Sequence, residues 1–146
     1  MTGSVMEVLL VEDNPDDAEL AVRVLKAQHP ALTIHVARDG AEALEVLSRV
    51  PPGGEQSGPG RLKAILLDLK LPKIDGLDVL RRIKAEPRLR SIPVIVLTSS
   101  QEPQDVVASY EAGANGYVVK PVGFEQFTQA LQQIGRYWLT VNETAS

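Results

Sequence analysis

Two hydrophobic periodicities alternate five times along this chain, and that alternation constrains its fold more than any other feature. Short runs rich in Val, Ile and Leu read as strands at 5–11, 32–37 ("LTIHVA"), 63–69 ("KAILLDL"), 92–98 ("IPVIVLT") and 114–119 ("ANGYVV"). Between them, apolar residues recur at helical spacing. Ala18, Ala21, Val22 and Leu25 mark the first helix, and Ala43, Val46, Leu47 and Val50 the second. Val79, Leu80 and Ile83 mark the third, and Val106, Val107 and Tyr110 the fourth. Phe124, Phe127, Leu131, Ile134 and Trp138 mark the last. The punctuation agrees. Asn14, Asp39 and Asp75 stand where N-caps belong, Pro15 at a first helical position, and Gly113 at a helix stop.

Strands that are apolar almost throughout must be buried on both faces, and strands alternating with helices pair in parallel. The expectation is an α/β, flavodoxin-like, doubly wound sheet of five parallel strands in the order 2-1-3-4-5, with five helices on both faces. The six-stranded nucleotide-binding order is the other common outcome, and five units favour the first. One domain spans 1–146, with its core over about 5–138. The stretch "PPGGEQSGPG" (51–60) is longer than a usual connection and reads as a flexible surface loop.

Composition excludes several classes of function. The net charge of −4 gives no basic surplus for nucleic acid. Absence of cysteine removes disulfides, zinc–thiolate sites and thiol nucleophiles. No signal peptide and no membrane span is legible, so a cytoplasmic location is expected.

In such a sheet, ligands bind beyond the carboxyl ends of the strands. Those ends carry Glu12 and Asp13 (first strand), Asp68 (third), Thr98, Ser99 and Ser100 (fourth) and Lys120 (fifth). The predicted order makes these strands neighbours, so three carboxylates converge. Two carboxylates about 4 Å apart repel by about 4 kcal/mol at an effective dielectric of 20. Lys120 and a divalent cation can offset this. Oxygen-only donors point to a hard ion, Mg²⁺ first. A carboxylate fixed beside such charges can act as a nucleophile towards phosphorus, with Thr98 donating to the phosphoryl group.

The motifs "VLLVEDNPDD", "ILLDLKLPKIDGLDVL", "PVIVLTSS" and "AGANGYVVKP" occur in an order and spacing that resemble the receiver domain of two-component response regulators. The loop, "EDNPDDAEL" and "RYWLT" more closely resemble the stand-alone regulators that partner bacterial phytochrome histidine kinases. The resemblance implies that Asp68 is the phosphoacceptor. It implies Asp13, Asp68 and the Lys70 backbone carbonyl as Mg²⁺ ligands, with Glu12 acting through water. Thr98 and Tyr117 match the switch residues, Lys120 the phosphate-contacting lysine, and the peptide before Pro121 is cis in that family. Lys70 is a basic departure at a position that tunes phosphate lifetime in many receivers.

The implied function is a signalling protein rather than an enzyme. A sensor histidine kinase phosphorylates it, and it acts on a downstream protein, with a homodimer compatible with the C-terminal aromatics. A Mg²⁺-dependent phosphohydrolase is disfavoured because Lys70 stands where many carry a second Asp. A flavin module is disfavoured because "EDNPDD" would repel a phosphate. A degenerate receiver is disfavoured by intact Asp68, Asp13, Thr98 and Lys120. Asp16 and Asp17 read as first-turn helix acids. Ser99 and Ser100 read as helix caps, and His29 and His35 as structural or surface residues. Arg81, Arg82, Lys84, Arg88 and Arg90 read as a solvated face.

Overall fold

The computed structural model describes residues 6–50 and 62–143, so the 51–60 loop lies outside the described residues. Five strands and five helices alternate: β1 Glu7–Val11, α1 Pro15–Gln28, β2 Thr33–Ala37, α2 Gly40–Leu47, β3 Leu62–Leu67, α3 Gly76–Ala85, β4 Val94–Thr98, α4 Pro103–Glu111, β5 Gly116–Val119 and α5 Phe124–Arg136. The strands form one parallel sheet in the order β2-β1-β3-β4-β5, as the periodicity predicts.

Side chains alternate across the sheet and build two apolar layers. Val8, Leu10, Ala64, Leu66, Ile95 and Leu97 pack with Leu25 of α1 and Leu131 of α5. Leu9, Val11, Ile65, Leu67, Val94 and Val96 pack with Leu47 of α2 and Leu80 and Ile83 of α3. The caps predicted at Asn14, Asp39 and Asp75 hold, whereas α4 has Glu102 as its N-cap residue, with no side-chain cap bond, in place of Ser99 or Ser100. Asn14 Oδ1 accepts from the Asp16 and Asp17 amides, Asp39 from Glu42 and Asp75 from Leu77. Gly113 ends α4 with φ of 107°, which the missing side chain permits.

Three expectations about faces are corrected. Val107 and Tyr110 of α4, and Phe124 at the start of α5, are exposed rather than buried. The fourth helix buries the small Ser109 instead, with Ala112 beside its end packed on the α2/α3 layer. The last helix does not run as an α-helix to Trp138. It passes at Tyr137 into a π-helical turn, Tyr137–Val141, which seats Leu139 in the α1/α5 layer and Trp138 beside Gly116 of β5. The C-terminal aromatics therefore close the core, with Tyr137 left half exposed.

The basic residues of α3 and the loop after it are not uniformly solvated. Lys84 is half-buried, and its ammonium donates to the carbonyls of Arg90 and Ile92 and to Asn115 Oδ1. Burial holds the Lys84 pKa below its ordinary value. Arg88 donates to the Leu47 and Val50 carbonyls, satisfying the end of α2. Each histidine has a side-chain partner: His35 meets Glu7, and His29 meets Thr140.

Candidate functional site

Register brings the polar strand ends together. Val11 pairs with Leu67, so Glu12 and Asp68 leave the sheet side by side. Both stay on the ladder: the Glu12 amide donates to Ala37 O (2.9 Å) and the Asp68 amide to Val11 O (3.1 Å). Thr98 pairs with Val119, and the Lys120 amide donates to Thr98 O at 2.7 Å. The Glu12, Asp68 and Lys120 side chains are thus carried by backbone bonded to the sheet, and Glu12, Asp68 and Thr98 are buried.

Lys120 is the hub. Its ammonium lies 2.7 Å from Glu12 Oε1, 2.9 Å from Asp68 Oδ2 and 3.0 Å from Asp17 Oδ2. An ammonium has three donors, and these three carboxylates match them in number. Burial acts to lower the Lys120 pKa, but its hydrogen bonds to Glu12 and Asp68, and their charges, outweigh that and raise it. Glu12 moves upward too. Its burial pushes the carboxyl to about 7, helped by the nearby Asp68 charge and opposed by Lys120 and by the Asn14 amide. One ammonium among three carboxylates leaves the pocket short of positive charge.

That shortage fits a divalent cation. Carboxylate oxygens of Glu12, Asp13 and Asp68 lie within 4.8 Å of one another, and Asp13 is exposed on the open side. The donors are all oxygen, which suits Mg²⁺ or Mn²⁺ better than a soft metal. The Lys70 amide donates to Asp68 Oδ1 at 3.2 Å, which fixes the second carboxylate oxygen from the following loop.

A second layer sits behind Thr98. The Thr98 hydroxyl accepts from the Ser100 amide at 3.4 Å, and the Tyr117 hydroxyl donates to Ser100 O at 3.0 Å. Burial raises the Tyr117 pKa, so the phenol remains a donor. Ser100 Oγ donates to Asp105 and accepts from the Glu102 amide, so this serine ties the β4–α4 loop to the first turn of α4. Tyr117 is therefore hydrogen-bonded to the loop that follows Thr98.

The structure brings Glu12, Asp13, Asp68 and Lys120 into one cluster and places Thr98 and Tyr117 on its flank. It corrects one feature and adds two. The Lys120–Pro121 peptide is trans, and among the described residues no peptide bond is cis. Asp17, read as a first-turn acid, reaches Lys120 across 103 positions of sequence. Its place in the first turn of α1, three and four residues before buried Leu20 and Ala21, is the available signal. Gly76 is the second addition. A β-carbon there would stand 2.2 Å from Asp68 O, so α3 can start this close to the site only because residue 76 has no side chain. The "DG" at its start was a visible cue, but the contact was not.

A model of the response regulator receiver domain matches residues 8–132. The chain is similar to a probable methanogenesis regulatory protein, FilR2, of Methanothrix harundinacea, with 40% identity over 98% of this chain and 94% of that one. It is also similar to response regulator Rcp1 of Synechocystis, with 41% identity over 90% of this chain and 88% of that one. Among solved structures, the phosphorylated cyanobacterial phytochrome response regulator RcpA superposes with a TM-score of 0.86 at 36% identity, over 96% and 98% of the two chains. The Mn²⁺-bound form of Rcp1 superposes with a TM-score of 0.84 at 38% identity, over 96% and 99%. The bacteriophytochrome response regulator AtBRR shares 49% identity over 97% and 100%, with a TM-score of 0.69.

Proposed function

The chain belongs to the response regulator receiver family, and on that premise we propose that it accepts a phosphoryl group from a sensor histidine kinase on Asp68 and thereby switches a protein-interaction surface. The observation that carries this reading is the buried Asp68 carboxylate, 2.9 Å from the Lys120 ammonium and clustered with Glu12 and Asp13. Receiver domains work with sensor histidine kinases. Phytochrome regulators among the similar proteins support a phytochrome-type kinase as the donor.

In the transfer, Asp68 Oδ attacks phosphorus. The P–N bond of the phosphohistidine breaks, the imidazole nitrogen keeps the bonding pair, and a P–O bond to Asp68 forms. Lys120 contacts the phosphoryl oxygens and balances their charge, and Thr98 donates its hydroxyl to one of them. Asp13, Asp68 and the Lys70 carbonyl would hold Mg²⁺, with Glu12 acting through a water, and the ion would supply charge neutralisation at the phosphoryl group. The Mn²⁺-bound relative supports a divalent ion in this pocket. Movement of Thr98 towards the phosphoryl group withdraws it from the Ser100 amide. Tyr117, bonded to Ser100 O, follows, and the face of α4, β5 and α5 is remodelled. The remodelled face acts on another protein or on a second copy of the chain.

The test is intact-mass spectrometry after incubation with acetyl phosphate, with and without Mg²⁺, beside Asp68→Asn. The expected result is one phosphoryl group that requires both Mg²⁺ and Asp68. Addition that persists in Asp68→Asn would sink the assignment. Phosphotransfer from an autophosphorylated bacteriophytochrome kinase, faster than from an unrelated kinase, tests the partner.

A further inference from the structure

Lys120 has three carboxylate partners, but they are not equivalent. Glu12 and Asp68 also belong to the oxygen cluster that suits a divalent cation. Asp68 is, on the proposed function, also the residue that receives the phosphoryl group. Asp17 belongs to neither event. It is outside the cation cluster, its side chain is 27% exposed against 8% for Asp68 and 2% for Glu12, and it comes from a helix rather than a strand end. Its position is nonetheless well fixed. Pro15 starts the helix, and the Asp17 amide donates to the Asn14 cap at 3.1 Å.

We propose that Asp17 is a positioning residue that holds Lys120 in reserve, drawing the ammonium off the cation cluster before phosphorylation and competing with the phosphoryl group for it afterwards. This rests on the proposed receiver chemistry. The physical argument has two halves with opposite signs. Before phosphorylation, Lys120 and the divalent cation contend for the same Glu12 and Asp68 oxygens. By accepting one of the three ammonium hydrogens, Asp17 reduces the hold of Lys120 on those oxygens, and its negative charge adds attraction for the cation. Once a phosphoryl group sits on Asp68, the same negative charge repels its oxygens and retains the lysine that should meet them. Asp17 thus favours the metal and disfavours the phosphoryl group. A side chain serving only to hold α1 in place would not separate the two.

The test uses Asp17→Asn, which keeps an oxygen acceptor at the same place and removes the charge, beside Asp17→Ala. Asp16→Asn serves as control: Asp16 is in the same first turn and exposed, and its amide also donates to Asn14. Mg²⁺ affinity is measured by calorimetric titration. Beryllofluoride affinity at saturating Mg²⁺ is measured by fluorine NMR. For Asp17→Asn the expected result is Mg²⁺ binding weaker, and beryllofluoride binding tighter, by about two- to fivefold each, the scale of a partly exposed ion pair. Asp17→Ala should shift both in the same directions, and Asp16→Asn should leave both within error. Equal weakening of both ligands, or no change in either, would overturn the role of Asp17. Wild-type protein that takes up no beryllofluoride would instead overturn the receiver chemistry itself.

Discussion

Strand β1 carries a glutamate at each end, and both are buried: Glu7 at its start is 6% exposed and Glu12 just beyond its end is 2% exposed. The two have the same chemistry, belong to the same strand and face opposite rims of the sheet. At the amino rim, Glu7 meets His35 Nε2 at 2.7 Å, from the neighbouring edge strand. At the carboxyl rim, Glu12 shares one lysine with Asp68 and Asp17, and Asp13 stands close by. Burial therefore does not set the carboxylate of the candidate site apart from the one at the other end of the strand. Charge balance does. At the amino rim one carboxylate faces an imidazole, whereas the carboxyl rim gathers several carboxylates around one lysine and so has a reason to bind a further cation.

Removing the lysine from the carboxyl rim tests this directly. Lys120→Met leaves three carboxylates facing one another. At pH 8 without divalent ions it should cost about 3 kcal/mol of stability, as for a broken buried ion pair. Mg²⁺ should restore much of the loss, and denaturant unfolding with and without Mg²⁺ reads both. If Mg²⁺ fails to rescue, the carboxyl rim is not the cation site.

The close approach of α3 to Asp68 comes next in size. Gly76→Ala sets a β-carbon against the Asp68 carbonyl and should cost about 1–3 kcal/mol, the range for overpacking a filled site. It should also displace Asp68 enough to lower the yield of acetyl-phosphate labelling. Normal labelling would mean the loop relaxes away from the site.

A third contrast is in pH. The Glu12 carboxyl is raised from 4.5 to about 7 in the folded protein. Between those values the folded state holds a proton that the unfolded state has released. Without divalent ions, this group's contribution to stability is therefore full below 4.5 and is lost as the pH rises through 7. Glu12→Gln should flatten that slope in a stability-versus-pH series, and an unchanged slope would assign it to other groups.

The smallest effect is expected at the amino rim. Glu7→Gln should cost about 1–2 kcal/mol, as for a hydrogen bond to a charged group. It should leave acetyl-phosphate labelling and Mg²⁺ affinity as in wild type. A loss of labelling would show that the two ends of β1 are coupled and that the contrast between them is wrong.

Much of the carboxyl rim is legible in the amino-acid sequence, because Glu12, Asp68 and Lys120 are each the first charged residue after an apolar run, and Thr98 closes another. Strand periodicity fixes where such a run ends, and parallel pairing puts all those ends on one side. The caps at Asn14, Asp39 and Asp75 are legible for the same local reason: each bonds amides two or three residues away. What tertiary structure alone decided is the rotation of each helix about its axis and the direction of its side chains. Helical spacing in α4 groups Val106, Val107 and Tyr110 on one stripe, but packing turns Val107 and Tyr110 out to solvent and Ser109 in. Phe124 shares a stripe with Phe127 and Leu131, yet it lies before the sheet's cover begins and is exposed. Asp17 and Lys84 look like solvated helix charges until the fold carries Lys120 to one and Asn115 to the other. Local periodicity says which residues share a face, but only the neighbours packed against that face determine what it meets.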